Sequence, residues 1–226
     1  MNTLTLPAGC PVTLAIIAVA GLAFLGQGAT GDGLTAAGLL YGPAVADGQW
    51  WRLVTSAFLH GDLLHVGLNL FMLYALGAPL ERGIGSVRFT LIAIGALLGG
   101  ALAVVTFDWR QQTLGASSVV MGVAAAYAVA LHARGEDPRR HPTFGLVILN
   151  LAIPLLVPII SFWGHLGGAI GGALLTWIVV WRPSRVRSNP ARDAAGGAMS
   201  VASPGIAALV LLAAGAVVVS RLGGIG

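Results

Sequence analysis

The chain has 226 residues, of which 57% are apolar and 9% charged, and its mean hydropathy is +0.88. A soluble globular domain carries about 25% charged residues, so this composition cannot cover a water-facing surface, and the class is that of membrane proteins. The basic excess, twelve residues against eight acidic ones, consists of Arg in short runs between apolar segments. It forms no stripe or aromatic-interleaved patch, which excludes nucleic acid as a partner and leaves membrane topology as its explanation.

Stretches of about 20 mostly apolar residues suit membrane-spanning helices, and seven occur: 11–29, 63–80, 88–107, 116–133, 143–160, 164–181 and 201–220. The first has no charged segment ahead of it and is long for a signal peptide, so it reads as a retained helix. Cys10, at its start, is the single cysteine; it allows no internal disulfide and no CxxC site and reads as a small buried hydrophobe. Residues 30–62 are polar, Gly-rich and aromatic and predict a sizeable loop holding Trp50, Trp51 and Arg52. Residues 182–199 carry Pro183, Pro190 and Gly196–Gly197 and predict a flexible linker. The organisation is therefore an all-α polytopic membrane protein, with a six-helix domain over 1–181, a cytoplasmic linker over 182–199 and an extra C-terminal transmembrane helix within 200–226.

The arginines orient it. With the N-terminus cytoplasmic, Arg82, Arg88, Arg134, Arg139, Arg140, Arg182, Arg185, Arg187 and Arg192 lie inside, and Arg52, Arg110 and Arg221 outside, the split that topology favours. Spans 2, 4 and 6 then all begin at the outer surface, and side chains in their first turns tilt back toward outside water.

Polar side chains inside a membrane are costly and ask for a reason. Span 2 carries His65 and Asn69, with His60 just ahead; span 4 opens Gly115-Ala116-Ser117-Ser118; span 6 opens Trp163-Gly164-His165-Leu166-Gly167-Gly168. Singly, each has a bland explanation: a membrane serine usually bonds a carbonyl of the preceding turn, a lone His or Asn usually joins two helices, and the small-xxx-small pairs Gly167/Gly171 and Gly168/Gly172 serve packing. Their coincidence at one depth on three helices is more than packing needs. Acyl transfer requires an activated nucleophile, a base within reach and donors for the oxyanion. Ser117 supplies the hydroxyl and His165 the base, if the glycines of span 6 let it approach span 4. His65 and Asn69 share a helical face, and the Ser117 N–H, at a helix start, lacks an intrahelical partner. No carboxylate lies at this depth, so a Ser–His dyad is expected rather than an Asp-assisted triad.

These residues carry a resemblance to the rhomboid family of intramembrane serine proteases, over about residues 50–181. Trp51-Arg52 with Thr55, Phe58, His60, His65 and Asn69 resembles the family's first loop and second helix. Gly115-Ala116-Ser117 resembles its GxSG nucleophile motif, and His165-Leu166-Gly167-Gly168 its histidine motif. Glu81-Arg82 with Gly85-Ser86 resembles its turn after helix 2. Two positions depart from the pattern: Ser118 stands where the family usually has Gly, and Met121 where it often has an aromatic.

The resemblance implies Ser117 as nucleophile, His165 as base, His65 and Asn69 as oxyanion-side residues, and Trp51 and Arg52 as structural residues of the first loop. It also implies a six-helix core, open to outside water, that acts on single-span membrane proteins, with no cofactor, metal or ATP. The substrate would unwind near the outer interface and enter beside span 5. Because His165 acts only when neutral, activity is expected to fall in acid.

Abundant Ala and Gly with Arg-only basic usage point to a bacterial inner membrane. Rival readings are a catalytically inactive relative that binds or routes membrane proteins, a metalloprotease on His60, His65 and His165 (against which stands the lack of HExxH), and a transporter, for which mid-membrane charges are missing. His132 and His141 read as solvated cytoplasmic residues and Ser161 as a plain loop serine. Trp50, Trp51, Trp109 and Trp163 read as an interfacial aromatic belt.

Overall fold

The computed structural model describes residues 9–156 and 160–181 and the isolated positions 215, 219 and 223. Linker 182–199 and most of span 7 lie outside the described residues. Among these residues the fold is all-helical, with one isolated β-bridge. The principal helices are α1 (Pro11–Thr30), α5 (Leu63–Ile84), α6 (Ser86–Phe107), α7 (Ser117–Ala133), α8 (Pro142–Leu156) and α9 (Phe162–Thr176), the last continued by a π turn, Trp177–Trp181. Pro11–Thr30, Leu63–Ile84, Ser86–Phe107 and Phe162–Val180 are long and apolar enough to cross a bilayer, and Ser117–Ala133 and Val147–Leu156 are shorter apolar helices. Large apolar side chains such as Leu22, Leu64, Phe71 and Ile170 are exposed on the outside of this bundle. The molecule is a multi-pass integral membrane protein.

Two elements differ from expectation for definable reasons. Residues 30–62 form no plain loop but carry α2 (Asp32–Gly38), α3 (Gly42–Ala46), α4 (Arg52–Thr55) and a 3₁₀ turn, Ser56–Phe58. The last carbonyls of a helix lack intrahelical partners, and at α2 side chains replace them: Arg52 donates to the Ala36 and Leu39 carbonyls (2.8 and 2.7 Å), Trp51 Nε1 to Ala37 (3.0 Å) and Thr55 to Gly38 (2.8 Å). A cation at a helix C-terminus also suits its dipole.

Helix α5, in turn, runs past residue 80 to Ile84, although Glu81 and Arg82 are charged. Glu81, 1% exposed, accepts from the Val12 and Thr13 N–H groups and from the Thr13 and Ser86 hydroxyls. One carboxylate thus caps the N-terminus of α1 and ties it to the α5–α6 turn.

Packing centres on α9, whose principal neighbours are α6 and α7. Without a hydrophobic force between helices in lipid, close approach is gained through small residues. A Cβ placed on Gly168 or Gly172 would fall inside the backbone of Ser118 or Gly122, and one on Gly99 would lie 2.6 Å from the Gly167 carbonyl oxygen. The pairings 168 with 118 and 172 with 122 make α7 and α9 parallel neighbours in register. Below them Leu73, Phe89, Ile92, Val123 and Leu175 fill the core.

The register predicts that Gly168→Ala, which thrusts a methyl into the Ser118 backbone, destabilises the protein by about 1–3 kcal/mol. Gly21→Ala, with open space around it on α1, should be neutral to slightly stabilising. Equilibrium unfolding in mixed micelles checks the pair; equal effects would refute the packing account.

Candidate active site

Ser117 is the first residue of α7, and α7 has only 17 residues. At about 1.5 Å per residue it is roughly 25 Å long, less than the ~30 Å hydrocarbon core. The polar segment Gly115-Ala116 leads into it in a conformation that requires glycine: Gly115 has φ +121°, and a Cβ there would lie 2.7 Å from His65 Nε2. The Gly115 N–H donates to the Ser56 carbonyl (2.9 Å), and the Ala116 N–H to His60 Nε2 (3.4 Å). The first intrahelical donor is Val120, to the Ala116 carbonyl, so the N–H groups of residues 117–119 precede the hydrogen-bond ladder.

His165 is carried by α9, level with this helix start. Counting along the register, Ser117 lies one residue and His165 three residues outward of the Ser118–Gly168 contact, a depth difference of about 3 Å. Ser161 anchors this helix: its hydroxyl accepts from the Gly164 N–H (3.0 Å) and donates to the Asp108 carboxylate at the end of α6. Ser161 is therefore an N-cap and clamp rather than the plain loop serine expected. Trp163 stacks on Phe107 beside it, centroids 4.2 Å apart. The His165 ring is 5% exposed; Nδ1 lies 2.8 Å from the Asn150 carbonyl oxygen of α8, and buried Nε2 has no hydrogen-bond partner among the described residues.

His65 and Asn69 line the other side. The Asp62 carboxylate caps α5 by accepting from the His65 N–H (2.8 Å), and Asn69 Nδ2 donates to the His65 carbonyl (3.0 Å), using one of its two hydrogens. His65 meets His60 edge to face at 5.0 Å. Ser117, His65 and His165 thus lie in the first turns of α7, α5 and α9, with Asn69 one turn further along α5. Trp51 and Arg52 lie apart from them, in the capping of α2.

Ser118 does not compete for this space. Its side chain faces α6, where a Cβ on Gly100 would fall 2.5 Å from Ser118 Oγ. Glycine on α6 makes the room that the departure from GxSG requires. Met121 is buried one turn below the nucleophile position.

Sequence reading missed Gln27, whose amide bonds Thr35 (2.8 Å) and both the carbonyl and the N–H of His60 (3.0 Å each). A buried amide on an otherwise apolar first span was the available signal. Among the described residues no three His, Cys, Asp or Glu side chains converge as a metal-ligand set. His141, beyond the C-terminal end of α7, packs its ring on Tyr127 at 5.0 Å.

Comparisons with known proteins give the family. The Rhomboid domain family matches residues 47–182, and the chain belongs to the rhomboid family. It is 36% identical over 142 residues to rhomboid protease GluP of Bacillus subtilis, covering 62% of this chain and 28% of that protein. It is 30% identical over 149 residues to putative rhomboid protease YdcA of the same organism, covering 64% and 75%. To rhomboid-type serine protease 2 of Emericella nidulans it is 31% identical over 154 residues, covering 64% and 30%. The chain therefore spans under a third of the first and third relatives' lengths.

Burial holds the His60 imidazole well below its ordinary 6.5, at about 4; His65 adds to this, while the Phe58 carbonyl and Asp62 oppose it. A histidine depressed on folding contributes stability that is fully present above about 6.5 and lost as pH falls toward 4. The thermal midpoint in micelles should drop across that window. His60→Gln, which keeps an acceptor for the Ala116 N–H, should flatten the dependence; an unchanged slope would contradict it.

Proposed function

We propose that the chain is a rhomboid-type intramembrane serine endopeptidase that cleaves single-span membrane proteins near the outer interface by a Ser117–His165 dyad. The observation that carries this is the His165 ring: an imidazole nitrogen buried without a protein partner, level with a serine at an uncapped helix start. An unsatisfied buried polar atom is costly and persists where a substrate or transition state supplies the missing partner.

In this reading the Ser117 hydroxyl attacks the scissile carbonyl as its proton passes to His165 Nε2. The N–H groups at the start of α7, His65 and the free hydrogen of Asn69 Nδ2 stabilise the oxyanion. His165 then protonates the leaving amine, and water hydrolyses the acyl ester. The substrate enters beside α8 as a locally unwound segment. Trp51 and Arg52 serve by holding the first loop through α2. The arginine distribution supports a cytoplasmic N-terminus and a site facing outward in a bacterial inner membrane, with the 182–199 linker cytoplasmic and a seventh helix following. The inactive-relative alternative is disfavoured, because both dyad residues are present and Ser118 is turned toward α6.

The experiment is cleavage of a panel of single-span substrates by purified protein in liposomes. Ser117→Ala and His165→Ala are expected to lose at least about 10³-fold in activity, while Ser118→Ala stays within a few-fold of wild type. Undiminished cleavage by Ser117→Ala, or wild-type inertness across the panel, would overturn the assignment.

A further inference from the structure

We propose that Pro154 and the main-chain carbonyl of Asn150 together form a positioning device that sets which nitrogen of His165 carries the proton, presenting a bare Nε2 to Ser117. The proposal rests on the catalytic reading above and assigns to α8 a part in it.

In an α-helix the carbonyl of residue i accepts from the N–H of residue i+4. For Asn150 that residue is Pro154, inside α8, and proline has no N–H to give. A carbonyl left open at membrane depth costs several kcal/mol unless another donor reaches it. The donor here comes from a different helix: His165 Nδ1, 2.8 Å away.

A carbonyl oxygen can only accept, so the hydrogen of this bond resides on Nδ1. Neutral imidazole has a single N–H, which leaves Nε2 with its lone pair, and Nε2 is the nitrogen that is buried and without a protein partner. In serine hydrolases with three catalytic residues, an Asp accepts from the corresponding N–H and fixes tautomer and orientation. A carboxylate in lipid would be far more costly; a carbonyl released by proline provides the acceptor without a charge.

A proline can instead serve only to bend its helix, and a membrane histidine can serve only to join two helices. Neither role requires a particular tautomer, and that separates them from this one. The test uses the full chain in nanodiscs with ¹⁵N-labelled histidine, the His165 signals being assigned by their loss in His165→Gln. At neutral pH His165 is expected as the Nδ1–H tautomer. Pro154→Ala and Pro154→Leu each supply an N–H that competes for the Asn150 carbonyl. Both should shift His165 toward a tautomer mixture and lower kcat about tenfold with little change in KM.

Pro79→Ala, which restores an N–H inside α5 away from the site, should leave the His165 spectrum and kcat as in wild type. A wild-type His165 found chiefly as the Nε2–H tautomer overturns the proposal whatever the variants do. So do two folded Pro154 variants with unchanged tautomer and kcat. If Ser117→Ala still cleaves substrate, the protease reading falls on its own, and the wild-type tautomer still decides whether the Asn150–His165 device exists.

Discussion

The backbone contact between α9 and its two neighbours is the constraint on which the rest depends. Glycines at 168 and 172 let α9 lie directly on the α7 backbone, and those at 167 and 171 let it lie on α6. In lipid, where apolar side chains gain little by meeting each other, such contact is a main source of helix association. It also sets register: with 168 against 118, His165 and Ser117 arrive at one depth from segments almost fifty residues apart in sequence. A side chain at any of these positions would separate the helices and, with them, the groups of the site.

Around that contact, a connected set of bonds joins α1, the 30–62 segment and the start of α7. Gln27 holds His60 by its main chain, His60 receives the Ala116 N–H, and Gly115 donates to Ser56. Leu40 and Thr113 exchange two backbone bonds of 2.9 Å, tying the first loop to the segment before α7. Arg52, 8% exposed, closes α2 and is itself held by Gln49 through Nε at 2.8 Å. This set of bonds ends at the start of α7, with His60 Nδ1 and Thr113 Oγ1 buried and without a hydrogen-bond partner among the described residues. His165 Nε2 is a further buried atom of this kind, on α9.

Much of this was legible in the sequence, and the exceptions share a cause. Apolar runs marked α1, α5, α6, α7, α8 and α9 because length and hydropathy are local properties, and Ser117, His165, His65 and Asn69 were visible as polar residues within or at the start of such runs. The helices of residues 30–62 were not visible, because α2 is closed by side chains 13 to 17 residues away, and no local pattern records that. The end of α5 was set short because Glu81 looks like a terminus until its four donors, three of them in α1, are known. Ser161 resembled any loop serine until Asp108 was found beside it. The departure at Ser118 could be weighed only with Gly100 in view, on a helix before it in the chain. Pro154 was visible, but the Asn150 carbonyl it releases is a main-chain atom that no residue code displays.

The central claim, that α7 and α9 bring one serine and one histidine together as a working pair, is tested most directly by active-site labelling. The full chain in liposomes would be treated with a fluorophosphonate and the modified peptide mapped by mass spectrometry, in wild type and in His165→Ala. The account predicts a single adduct on Ser117 that disappears when His165 is removed. An adduct on Ser118, labelling undiminished in His165→Ala, or no adduct on the folded protein would contradict it.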